Sequence, residues 1–222
     1  MKRLDLSIHL ARLTMSLALL ASLGRIHPLL GLALSLGLYF GSFAFTHDVA
    51  HGALRMPRRA TEWLLAIAAV PMLVSGHAMR LMHLRHHARP LAKDDLEGVG
   101  AALPLWRALV AGPVNAVELR RHSWLAANPR ERRWILGESV LSGVLLVLAL
   151  LSGSFVARTW AATCVGLQLT ASAWASHLPH HPPRWARRIA VALAWTGSAT
   201  LLSFAFHEAH HARPKLPCRE LA

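Results

Sequence analysis

Four histidine groups in this chain each come directly after a run of apolar residues, and that arrangement constrains the fold more than any other feature. Four runs are long: "LTMSLALLASLG", "PLLGLALSLGLYFGSFAF", "SVLSGVLLVLALL" and "TWAATCVGLQLTASAWA". A helix crossing a bilayer needs about 20 mostly apolar residues, and the last three runs reach that length with their flanks. The first is shorter, and a signal peptide is its rival reading. The chain re-enters apolar sequence at once, however, with no A-x-A-type cleavage site followed by soluble sequence. It therefore reads as the first helix of a hairpin. A hydrophobic content of 54% and a mean hydropathy of +0.37 agree. The expectation is an integral membrane protein built from helices.

The formal net charge of +13 raises nucleic acid as a partner, and its distribution argues against it. Arginines from Arg55 to Arg89, Arg120 to Arg133 and Arg184 to Arg219 lie between and after the spans, while the short loops near Arg25 and Arg158 carry little charge. That asymmetry is the positive-inside pattern and makes the basic segments cytoplasmic. There they face anionic headgroups. The two cysteines, Cys164 and Cys218, support neither a disulfide framework nor an iron–sulfur site.

A topology follows from these signals. Residues 10–24 cross outward and 29–46 return; 137–156 and 159–176 form a second hairpin. The segment 61–76, broken by Pro71, is read as an interfacial or re-entrant helix, and 187–206 as a cap lying on the bundle. Full crossing would separate the histidine groups between the two faces and would also place basic residues outside. The expected architecture is all-α: one domain spanning 1–222, a four-helix bundle of two hairpins, with interfacial helices carrying the histidine groups on the cytoplasmic face.

The groups are "HDVAH" (His47, His51), "HLRHH" (His83, His86, His87), "HLPHH" (His177, His180, His181) and "HEAHH" (His207, His210, His211). Histidines at i and i+4 share a helical face and can serve one metal or two adjacent ones. His9, His27, His77 and His122 stand alone and read as structural. Several imidazoles gathered at a membrane surface repel one another if protonated, and metal coordination keeps them neutral. "HEAHH" itself has two readings. As H-E-x-x-H it gives a zinc protease, with His207 and His211 as ligands and Glu208 as base. As H-x-x-H-H it gives three imidazoles. A catalytic zinc takes three protein ligands, whereas about nine imidazoles are available here, which favours a dinuclear centre. A histidine-rich transporter would need ionisable residues within the spans, and the four clear spans hold almost none.

Taken together, "HDVAHG", "HLRHHA" with the later "KDD", "LPHHP" and "HEAHHARPKLPCREL" resemble the histidine boxes of the membrane fatty acid desaturase superfamily, which includes carotenoid-ring hydroxylases and ketolases. The resemblance runs from about Thr46 to Leu221. It implies two iron ions, O2 as co-substrate, and electrons from a separate carrier such as a ferredoxin or cytochrome b5-type protein docking on the arginine-rich face. It implies as ligands His47, His51, His83, His86, His87, His207, His210 and His211, with His180 from the end of the fourth span. Asp48, Ser176, His177, His181 and Glu208 then become supporting residues around the ligands. Asp94 and Asp95 follow the second box, where the family often carries acidic residues; they pair with nearby arginines or form a solvated turn. The activity implied is attack on lipid C–H bonds, first a fatty acyl desaturase, with a carotenoid-ring hydroxylase or ketolase as the alternative and an intramembrane zinc protease as the remote one.

Overall fold

The computed structural model describes residues 2–192, 204, 206–216 and 220. Those residues are helical with no strand among them. The chain divides into two compact units, one of Met1–His77 with Asn128–Gly166, the other of Ala78–Ala127 with Leu167–Ala222.

The first unit opens with a helical hairpin, α1 (Lys2–Leu23) and α2 (Pro28–Ala50). The turn between them is tight: a side chain at Gly31 would meet the Gly24 carbonyl at 2.8 Å. His27 caps α2, its Nδ1 accepting the Leu29 N–H at 3.2 Å, and Pro28 supplies a preset φ at the first helical position. At 23 residues α2 measures about 34 Å, enough to cross a hydrocarbon core of about 30 Å. Another span, α6 (Pro129–Leu151), starts on a full capping box in which Asn128 and Glu131 exchange side-chain and backbone hydrogen bonds. Beyond that cap, Val140, Val144, Leu148 and Leu151 recur at helical spacing with their side chains exposed. An apolar stripe of this kind suits lipid and not water. Three helices, Leu4–Leu23, Pro28–Ala50 and Pro129–Leu151, are long and apolar enough to cross a membrane.

A fourth crossing depends on a bent pair. Helix α3 (Arg58–Ala69) runs into a 3-10 turn, Val70–Met72, and then α4 (Gly76–Ala88) leaves at 101°. Pro71 and a left-handed Leu73 (φ 56°) sit at the break. Neither arm alone reaches about 20 residues, so the bent pair is a broken span or a re-entrant loop.

In the second unit α5 (Leu105–Ala126) lies between the basic loops, where no helix was expected. Its Ala108, Gly112, Asn115 and Ala116 are buried, whereas Trp106, Val110, Val114 and Val117 are exposed. The fourth span of the sequence reading is α7 (Phe155–Leu169), which continues through a π-helical segment, Ser172–His177, to a last turn, Leu178–His180. Of the segment 187–206, only the end of the helix Arg184–Ala192 and residues 204 and 206 are described; the rest lies outside the described residues.

Two glycines let backbone approach the end of α7 and the π-helical segment after it. A side chain at Gly100 would strike the Ser172 carbonyl, and one at Gly112 the Leu169 carbonyl. Backbone cannot move aside as a flexible side chain can. Gly100→Ala is therefore expected to destabilise the protein by about 1–3 kcal/mol, seen as a lower thermal unfolding midpoint in detergent. An unchanged midpoint would overturn this account of the packing.

Candidate metal centre

The second unit gathers seven of the predicted ligands. The ligand atoms of His86, His180, His207 and His211 lie within 4.8 Å of one another. Nε2 of His211 is 3.2 Å from Nε2 of His86 and 3.0 Å from that of His207, which is in turn 3.2 Å from that of His180. Nitrogens bound about 2.0–2.1 Å from one metal stand about 3.0–3.4 Å apart when adjacent and about 4.2 Å apart when opposite. The donor set therefore fits a single metal ion. Beside it, His87 Nε2 lies 3.0 Å from His210 Nε2, and the His83 ring is 4.6 Å from that of His87. These three ligand atoms also fall within 4.8 Å of one another.

Three elements deliver these rings. Helix α4 carries His83, His86 and His87; the turn Leu178–His180 after the π-helical segment brings His180; the short helix His207–Ala212 brings the rest. His207 and His211 flank one turn of that helix with rings 4.5 Å apart. Burial, then the imidazoles of His211 and His180, pushes the His207 pKa far below its ordinary range. Burial with His86 and His180 lowers His211 to about 4, and burial with His86 and His181 lowers His180. All three rings are thus neutral at neutral pH, the form in which imidazole binds metal. In metal-free protein the folded state refuses protons on them that an unfolded chain accepts near 6.5. Stability is therefore expected to fall as pH drops from about 6.5 towards about 4. A thermal midpoint flat over that range would contradict these environments.

Two carboxylates orient the rings of α4. His86 Nδ1 donates to Asp95 at 2.7 Å, and His83 Nδ1 donates to Glu97 at 2.5 Å. A ligating histidine commonly gives its second N–H to a carboxylate, which fixes the tautomer and aims Nε2 at the metal. Buried Asp95 also accepts the backbone N–H of Leu91 (2.8 Å) and of Gly98 (3.0 Å). Burial alone would raise its pKa, but the His86 ring and these two N–H groups hold it below the usual carboxylate range. Glu97 was not singled out in the sequence, although the spacing of "KDDLEG" after the second box contains it. Asp94 pairs instead with Arg89 at 2.5 Å and Arg85 at 3.7 Å, in solvent.

The remaining members of "HLPHH" turn elsewhere. His177 Nδ1 donates to the Leu103 carbonyl at 2.8 Å, and His181 Nε2 to the Ala101 carbonyl at 2.9 Å. Ser176 Oγ accepts the Ala101 N–H at 3.0 Å. Glu208 is exposed on the helix His207–Ala212.

In the first unit His47 and His51 close α2, both buried, with rings 4.7 Å apart. Asp48 between them accepts from His9 Nε2 at 3.1 Å, and the His9 ring stacks on Phe45 at 4.8 Å. The other lone histidines take structural positions as well. His27 caps α2, His122 Nδ1 donates to the Glu118 carbonyl, and His77 is paired with Glu138.

The fatty acid desaturase family model matches residues 26–222, which takes in all four histidine groups. The chain belongs to the fatty acid desaturase family. No curated protein and no solved structure matches it significantly. As a member, it is an oxidoreductase of the membrane with a lipid as substrate class. The family is generally di-iron, and the clustered imidazoles are compatible with that.

Proposed function

We propose that this desaturase-family chain is an O2-dependent di-iron oxidoreductase that attacks C–H bonds of a membrane lipid, with a fatty acyl chain as first substrate. The observation that carries the reading is the convergence of four imidazole Nε2 atoms, from His86, His180, His207 and His211, beside a second group that includes His83, His87 and His210. His47 and His51 would complete the second group as ligands, within a single desaturase domain spanning 1–222. Bound irons would supply O2 activation and hydrogen removal from an unactivated C–H bond. The protein's own residues hold the centre. Asp95 and Glu97 keep the Nε2 atoms of His86 and His83 free for metal, while His177, His181 and Ser176 tie the π-helical segment to the loop 100–103 and so set His180. The centre lies on the cytoplasmic face under a four-helix bundle of two hairpins, with 61–76 re-entrant and 187–206 interfacial. Electrons come from an external ferredoxin or cytochrome b5-type carrier.

The zinc protease reading has less support. Its base, Glu208, points to solvent, and His207 and His211 share their site with two further imidazoles, more than the three protein ligands of a catalytic zinc. Elemental analysis of detergent-purified protein tests the proposal: about two irons per chain are expected from this donor set, together with O2-dependent change in the acyl lipids of expressing cells. One zinc and no O2 consumption would return "HEAHH" to the protease. An altered carotenoid profile with unaltered acyl chains would redirect the substrate to the ring hydroxylase or ketolase branch.

A further inference from the structure

Glu138 is the only acidic residue of α6 beyond its first turn, and it lies five residues after Arg133, about 8 Å along the helix, where the charged start of α6 gives way to its apolar stretch. It is 4% exposed. A carboxylate buried in this way is expensive unless it is paired and hydrogen-bonded. Its hydrogen-bond partners among the described residues are Ser75 and His77, at the start of α4. Oε1 accepts from His77 Nδ1 at 2.7 Å; Oε2 accepts the His77 backbone N–H at 3.3 Å and the Ser75 hydroxyl. The His77 ring lies flat against Trp134, one turn before Glu138 on α6, with centroids 4.9 Å apart and planes 7° apart. A carboxylate here satisfies an N–H at the start of a helix that has no intrahelical acceptor, and it complements the positive end of the dipole.

The same turn is held from α7. Trp160 Nε1 donates to the Pro71 carbonyl at 2.8 Å, and Cys164 Sγ donates to it at 3.3 Å. Gly76 passes so close to the Leu65 carbonyl that no side chain fits there. Irregular buried backbone persists where protein satisfies its polar groups, and side chains of α6 and α7 do so for the Pro71 carbonyl and the His77 N–H. The second histidine group follows on the same helix: His83 is six residues after His77, about 9 Å along the axis.

We propose that Glu138 is a positioning residue for the metal centre, a cap supplied by α6 that sets where α4 begins and so where His83, His86 and His87 stand; this rests on those histidines being ligands, as in the reading above. The test uses the full chain in detergent, with two readouts. Iron affinity is measured by competition against a chelator, and amide hydrogen exchange is followed over residues 76–88. Glu138→Ala is expected to purify as a single species, to bind iron about tenfold more weakly, and to lose exchange protection along α4. Glu138→Gln, which keeps an accepting oxygen for Ser75 and the His77 N–H, is expected to restore most of both. An alanine variant with wild-type affinity and wild-type protection overturns the proposal. If Glu138→Ala does not accumulate, His77→Phe decides, since it keeps the ring on Trp134 and removes only the ring donor. Weakened iron binding and faster exchange over 76–88 support the cap, and unchanged values overturn it. Wild-type protein that binds no iron pair refutes the di-iron reading instead, and the exchange readout then decides whether Glu138 caps α4.

Discussion

Replacing His86 with alanine is expected to cut the iron content of the purified protein from about two per chain to about one or less, and to reduce lipid oxidation at least about a hundredfold. Three features make this change damaging. Its Nε2 stands 3.2 Å from that of His211 in the four-imidazole group. Its ring also meets that of His180 edge-on at 5.5 Å. Its Nδ1 is a donor to buried Asp95, so the substitution removes a ligand and also strips a buried carboxylate of one of its hydrogen bonds. His122→Ala is the matched control, because that ring sits on α5 and, among the described residues, is bonded to its own helix turn at Glu118. It should leave iron and activity at wild-type levels. Equal iron in both variants would refute the assignment of His86, and with it the four-imidazole site.

The histidine groups announce themselves in the sequence because each is periodic and each ends an apolar run, and the same runs foretell the helical hairpin and the span Pro129–Leu151. What stays hidden has local causes. Helix α5 escapes notice because Arg107, Glu118, Arg120 and Arg121 interrupt its apolar stripe and keep it below the hydropathy of a span. In "HLPHH", spacing alone makes His177 and His181 a ligand pair like those of the other groups. The preceding π-helical segment and the carbonyls of the loop 100–103 turn those two rings away and leave His180 with His207. Lone histidines read as structural, but nothing in the sequence says that His77 meets Glu138, 61 residues on, or that His9 meets Asp48. Such pairs form by packing between helices, which periodicity does not encode. The carboxylates that orient the ligands are hidden for a similar reason: "DDLEG" looks like a solvated turn until its second and fourth residues, Asp95 and Leu96's neighbour Glu97, are seen against α4.

Neighbouring Asp94 and Asp95 provide the sharpest contrast. Asp95→Asn is expected to weaken iron binding by about 10–100-fold, the usual cost of removing a carboxylate that orients a ligating imidazole. Asp94→Asn should change it little, since an exposed pairing with arginine is worth about 0–1 kcal/mol. The difference arises from burial and partners, not from charge. Asp94 is 51% exposed and faces Arg85 and Arg89, whereas Asp95 is 3% exposed and accepts from one ring and two backbone N–H groups. Asparagine at 95 keeps the size and still offers one oxygen, but its amide nitrogen turns a donor towards Leu91, Gly98 or His86. At least one buried donor then loses its acceptor. If the amide nitrogen faces His86, the ring must accept through Nδ1, which moves its proton to Nε2 and blocks the metal-binding atom. Chelator competition on the two variants measures this directly. Equal affinities for both would mean that His86 is not oriented by Asp95, whereas a loss confined to Asp95→Asn would tie the loop after the second histidine group to the metal.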